Sequence, residues 1–248
     1  VIYMNYKYSE HQIVKFSNVD FKLKLGIVDA CQITQNMVTD FFRKYDFDNS
    51  IIASRNNAVL VVLKHKLHFN RLPDFDEAMD ALSYTTKKST YLFEIETGFK
   101  HNDEDLFFCK SEICPVDIKT REVKKISDIG YPEEMDLGPN RLIGRAKRNL
   151  TVFNEDDYIY SVRMLPTEID YSGHVNNVCY IKYLINTFNT AYLKTIDITD
   201  IEISYIHEAF EGNILKVYRK LIDDNTYSFL IKREDEELTR ATLSFKQK

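Results

Sequence analysis

Apolar positions along the chain change period several times, and each change marks an element. Between 27 and 45, Ala30, Ile33, Met37, Phe41 and Tyr45 fall on one stripe at three- and four-residue steps, which predicts an amphipathic helix. Strand-like runs follow at 58–69, 75–86, 89–100 and 105–117, the first long and β-branched. Polar breaks at Arg71-Leu72-Pro73-Asp74, Lys87-Lys88 and His101-Asn102-Asp103-Glu104 separate them, so four meandering strands are expected. A short strand-like region with Ile13, Val14 and Phe16 precedes the helix. From 118 to 157 the rhythm is lost, and the turn formers from Gly130 through Asn140 predict a linker.

The same order then recurs. Tyr158, Tyr160, Val162 and Met164 alternate, predicting a strand at 157–165. Val178, Ile181, Leu184, Ile185, Phe188, Ala191 and Tyr192 keep the helical period, and strands are expected at 200–210, 213–222, 226–233 and 238–246. The pattern is that of an α+β chain with units at 1–129 and 157–248 and a linker at 130–156. Laying residues 25–30 over 172–177, an offset of 147, matches a glycine and a valine. That overlay sets Leu23 and Ile27 where the second half has Asp170 and His174. The first half is then suited to holding an apolar chain and the second to breaking a bond.

Composition narrows the function. Of 248 residues 44% are hydrophobic, with 16 Tyr and 16 Phe, enough for packed cores. A net charge of −5 argues against a nucleic-acid partner. Cys31, Cys109, Cys114 and Cys179 form no C-x-x-C pair and no metal-ligand cluster, so free buried thiols and no metal or cofactor are expected. The longest apolar run, residues 58–63, is far too short for a membrane span, and no signal-peptide pattern is present, which predicts a cytoplasmic protein without membrane contact.

The candidate chemistry lies where the second helix begins: Asp170, Ser172, Gly173, His174, Asn176 and Asn177. Asn176 or Asn177 can cap the helix, whose amino end favours developing negative charge. On spacing alone, an acid, a turn and a histidine before a helix describe a cap as well as a site. The run D-x-x-G-H-V-N-N-x-x-Y-I, followed about thirty residues later by the acid Glu208, resembles the acyl-[acyl-carrier-protein] thioesterases of plant plastids and bacteria. The resemblance is specific at Asp170, Gly173 through Asn177, Tyr180 and Ile181, and looser over nearly the whole chain. It implies a tandem (double) hotdog fold, each unit a long helix wrapped by a curved antiparallel sheet. It also implies hydrolysis of fatty acyl thioesters on acyl carrier protein, without a cofactor.

On that resemblance Asp170 and His174 belong to the catalytic network, and Glu208 is a base or water-positioning group. Alternation on a strand sets Glu208 on the face of Ile206, where partial burial makes a carboxylate a better base. Ser172 stands where the family commonly has asparagine, and Ala209 where older proposals placed a cysteine. Cys179 is expected to pack in the core. Gly173, Asn176 and Asn177 are expected to contact substrate, and Met37 and Phe41 to set pocket depth. Val62-Leu63 and Arg71-Leu72-Pro73 match a further family pattern, with Val61 in place of its tryptophan. Arg141, Arg145, Lys147 and Arg148 offer a landing site for the acidic carrier. Other readings are an acyl-CoA thioesterase of the same fold, a hotdog hydratase or dehydratase, and a non-catalytic acyl-binding protein. The lyase signatures with proline are missing, and no helix-turn-helix accompanies the two units. A monomer or a homodimer is compatible with the sequence.

Overall fold

The structure, a computed structural model, describes residues 6–131, 137–140 and 149–248. Backbone contacts divide the chain into two compact units, Val1–Leu25 with Gln32–Gly144 and Gly26–Cys31 with Arg145–Lys248. In the first unit β1 (Lys7–Ile13) precedes α1 (Ile27–Lys44), whose residues through Cys31 fall in the second unit, and α2 (Asn49–Asn56). β2 (Ala58–Phe69), β3 (Ala78–Lys88), β4 (Phe93–His101) and β5 (Glu104–Asp117) follow. All pairings are antiparallel, in the order β1-β3-β4-β5-β2. Only β3, β4 and β5 meander; β2 joins the far side of β5 rather than its chain neighbour β3.

The stripe of α1 is buried at Ala30, Met37 and Phe41, and Val38 and Phe42 widen it. Val38, Phe41 and Phe42 share a core with Ile52, Phe93, Ile95 and Ile113. Ile126, Ile129 and Tyr131 belong to that same core. The Tyr131 ring stacks on Phe93 at 4.9 Å, and its hydroxyl lies 2.8 Å from that of Thr85. The start of the expected linker is therefore core of the first unit. α2 was not foreseen. It is short and largely polar, and Asp48 starts it by accepting the Ser50 and Ile51 amides.

The second unit contains β6 (Tyr158–Arg163), α3 (Asn177–Ile185), α4 (Thr190–Thr195) and β7 (Ile196–Tyr205). β8 (Ile214–Asp223), β9 (Thr226–Arg233) and β10 (Glu236–Gln247) complete it, in the antiparallel order β7-β10-β9-β8-β6. The single long helix expected here is two. The Thr187 hydroxyl donates to Leu184 O at 2.7 Å, satisfying a last-turn carbonyl of α3, and Arg219 Nη1 donates to Thr187 O at 2.5 Å in the segment between the two helices. Asn189 then caps α4 by accepting the Tyr192 amide at 2.8 Å. Period alone could not show this, because Phe188 and Tyr192 keep the helical spacing across the break.

The internal repeat is real but its register differs from the sequence overlay. In the first unit Val19 bridges Leu25, Asp20 N donates to Lys24 O at 2.8 Å, and Leu23 N donates to Asp20 O at 3.0 Å. In the second, Ile169 bridges Val175, Asp170 N donates to His174 O at 2.8 Å, and Gly173 N donates to Asp170 O at 3.0 Å. Each aspartate also takes the amide two residues on, Lys22 at 2.7 Å and Ser172 at 2.8 Å. The offset is thus 150, not 147. The overlay was misled by matching Gly26 to Gly173. The positive-φ position of the turn is Leu23 (φ 55°) in one unit and Gly173 (φ 82°) in the other. Both halves keep the aspartate; the first has Lys22 and Lys24 where the second has Ser172 and His174.

Candidate active site

The turn before α3 is built by its own backbone. Asp170 N donates to His174 O across it at 2.8 Å, and Asn176 N donates to Glu168 O at 2.9 Å, closing the approach to the helix. Asn176, not Asn177, is the cap: its side-chain oxygen accepts Val178 N at 2.9 Å, and Asn177 is the first residue of α3. Val175 N donates to Ala209 O at 2.9 Å, which brings the connection after β7 against the turn.

Glu208 lies on that connection. β7 ends at Tyr205, three residues short of it, so the strand expected through 210 is corrected. The amides of Ile206 and His207 both go to Leu238 O, at 2.8 and 3.3 Å, and sharing one acceptor takes the chain out of strand register. Face alternation therefore does not apply to Glu208. Its side chain is 38% exposed, not enclosed beside Ile206, and Ile206 is itself exposed. The carboxylate reaches His174 instead, Oε2 lying 3.3 Å from Nε2.

Four predicted residues thus form one chain of contacts. Ser172 Oγ lies 2.5 Å from Asp170 Oδ1 and 3.0 Å from His174 Nδ1, and His174 Nε2 continues to Glu208. Proton counting orders it. An ionised aspartate only accepts, so the serine hydroxyl proton points to Asp170 and Nδ1–H of His174 donates to Ser172 Oγ. Nε2 is then the nitrogen that faces Glu208, at 3.3 Å. The Ser172 hydroxyl is the link between Asp170 and the imidazole.

Two further side chains, Phe210 and Tyr180, lie beside these residues. The Phe210 ring meets the His174 ring edge-on at 5.1 Å, and the buried Tyr180 hydroxyl is hydrogen-bonded to the Ala209 backbone. Tyr180 was legible only as part of the motif, and nothing in the sequence marks Phe210. Tyr171 and Phe210 are exposed beside the relay, and His174 is 21% exposed, so the site is open to solvent.

Other expected residues lie elsewhere. Met37 and Phe41 are fully buried in the first unit. Arg141, Arg145, Lys147 and Arg148 lie outside the described residues. The thiols are unfit as nucleophiles: burial pushes Cys109 up to about 12 and Cys114 up to about 11. Burial, then the charge of Glu168, also raises Cys179. Among the described residues no group of three or more histidine, cysteine or acidic side chains is placed to hold a metal ion. No helix among them is long and apolar enough to cross a membrane.

Comparison with known families decides the assignment. Residues 5–131 match the acyl-ACP thioesterase N-terminal domain, and residues 152–247 match the acyl-ACP thioesterase C-terminal domain. The chain belongs to the acyl-ACP thioesterase family. It is a thioester hydrolase, and acyl-ACP is its substrate. Comparison with curated protein sequences gives no match. Among solved structures, this thioesterase is similar to an acyl-ACP thioesterase from Bacteroides thetaiotaomicron, at 16% identity over 98% of both chains with a TM-score of 0.82. It is also similar to the 12:0-ACP thioesterase from Umbellularia californica, at 14% identity over 98% of both chains with a TM-score of 0.84. At such identities the likeness speaks for the fold.

Proposed function

We propose that the chain is a tandem hotdog enzyme that releases free fatty acid from acyl carrier protein and so ends fatty acid synthesis. The observation that carries this reading is the continuous contact chain Asp170–Ser172–His174–Glu208 at the head of α3. The C-terminal unit does the chemistry, and the N-terminal unit holds the acyl tail, with Met37 and Phe41 among the side chains that set its depth. Water bound between the thioester and the His174–Glu208 pair loses a proton to that pair as its oxygen attacks the acyl carbon. Asp170, through Ser172, holds Nδ1–H in place, so that Nε2 is the nitrogen able to take the proton. Asn177, at the first position of α3, donates to the carbonyl oxygen as it becomes negative. The carbon–sulfur bond then breaks, the thiolate leaves, and the proton held by the pair returns to it. A thiol that ionises near about 8.5 needs no strong general acid.

The test is turnover of Asp170→Asn and Glu208→Gln on matched acyl chains carried by acyl carrier protein and by coenzyme A. Both variants should lose about 10²–10⁴-fold in kcat with an unchanged circular dichroism spectrum. Near-normal turnover by both removes the site assignment. A higher kcat/KM on the coenzyme A substrates would move the carrier preference.

A further inference from the structure

We infer that Arg233, acting with Asn213, is a positioning residue that sets Glu208 against His174. The inference rests on the reading that Glu208 takes part in activating water. Because β7 stops at Tyr205 and β8 starts at Ile214, Glu208 sits on an irregular connection. Its carboxylate is only as well placed as the backbone beneath it. That backbone is held at intervals. Leu238 O accepts the Ile206 and His207 amides, and Ala209 O accepts the Val175 amide. Asn213 closes the far end: its Oδ1 accepts Phe210 N at 2.9 Å, and its own N donates to Phe210 O at 3.1 Å.

Arg233 ties these holds to Glu208 itself. It is the last residue of β9, and its side chain is 28% exposed. One nitrogen, Nη1, donates to the Glu208 carbonyl at 3.3 Å and to Asn213 Oδ1 at 2.9 Å. The other, Nη2, is held by the Glu236 carboxylate across the β9–β10 turn. A planar guanidinium anchored at one nitrogen and bridging two acceptors with the other fixes the distance between the Glu208 backbone and the loop end. A lysine ammonium has no such fork. Arg233 touches neither the substrate water nor the imidazole in this arrangement; it acts through the place of Glu208. A misplacement of the order of an ångström in a reacting group is enough to cost about 100-fold.

The experiment is a double-mutant comparison on acyl-ACP. Arg233→Met should lower kcat about 10- to 100-fold with KM within about two-fold, and Arg233→Lys should recover only part of the loss. In a Glu208→Gln background, Arg233→Met should lower the residual rate no further, because the group it positions is already disabled. Asn213→Ala, which removes the bridging acceptor and keeps the charge of Arg233, should reproduce the kcat loss and serves if Arg233→Met does not fold. Equal losses from Arg233→Met with and without Glu208→Gln would show a merely structural role and overturn the inference. So would full turnover by both Arg233→Met and Asn213→Ala. Normal turnover by Glu208→Gln alone would instead overturn the functional reading beneath it.

Discussion

Asp170 makes the turn contacts of its counterpart Asp20 and one more, to the Ser172 hydroxyl. Asp20 makes the same turn contacts in the first unit, where Lys22 and Lys24 replace the serine and the histidine. The aspartate is therefore part of the turn in both units, and in one it also touches the Ser172 hydroxyl that leads to His174. An asparagine at 170 still has an oxygen to accept the Ser172 amide, so Asp170→Asn tests the charge with the turn kept. Ser172→Ala tests the link: the amide bond to Asp170 survives, and the hydroxyl between Asp170 and His174 is lost. We expect kcat to fall about 10- to 100-fold, with KM and Tm close to the wild type. A rate equal to wild type would mean that Asp170 serves only the backbone. Ser172→Asn, which restores the residue common in the family, should retain more activity than alanine. Cys179→Ala should keep kcat within about two-fold, since burial and Glu168 disfavour its thiolate and its sulfur lies against the Glu168 carbonyl at 3.9 Å.

At the scale of elements, much was legible because one face of each element is buried and writes a period into the sequence. The expected helix at 27–45 and strand at 58–69 lie within a residue of α1 and β2. What was illegible is set by hydrogen bonds from distant residues. Arg219 holds the segment between α3 and α4, Leu238 takes the chain out of strand register before Glu208, and Leu23 occupies a turn position that sequence reading reserves for glycine. The Arg71-Leu72-Pro73 motif was read as pattern, and its physics appears only in the fold. Arg71 donates to Glu77 at 2.6 and 2.9 Å and to Glu104 at 2.6 and 2.8 Å, clamping the β2–β3 connection to the β4–β5 turn. Arg71 holds the Glu77 carboxyl down to about 2. The unfolded chain, with a carboxyl near about 4.3, takes up its proton first as pH falls. The contribution of Glu77 is thus complete above about pH 4.3 and is lost as pH falls through about 2. Arg71→Met should cost about 1–3 kcal/mol at pH 7, and the gap to wild type should close across that acid window in denaturant titrations. A gap independent of pH would assign the loss to packing instead.

At the scale of the whole molecule, two units of like topology carry the same turn module with different chemistry. Leu25 N bonds to Pro73 O at 2.8 Å as Val175 N bonds to Ala209 O at 2.9 Å, so Leu72 stands where Glu208 stands. The first unit has the aspartate and neither the histidine nor the glutamate. Its Lys24 pairs with Asp74 at 2.7 Å, an exposed contact of little energetic weight. The module is then a backbone device present twice, and on the proposed reading the copy with Ser172 and His174 serves the reaction. If so, the two aspartates must differ in effect although their local geometry is alike. A double variant, Asp20→Asn with Lys24→Ala, should keep kcat on acyl-ACP within about two-fold of wild type, with a stability loss of about 1 kcal/mol or less. Asp170→Asn in the other unit should lose about 10²–10⁴-fold with a similar stability change. Steady-state kinetics and thermal melts on the two proteins side by side read both quantities. A comparable fall in kcat from the first-unit variant would mean that its turn also serves the reaction, and the division of labour between the halves would have to be abandoned.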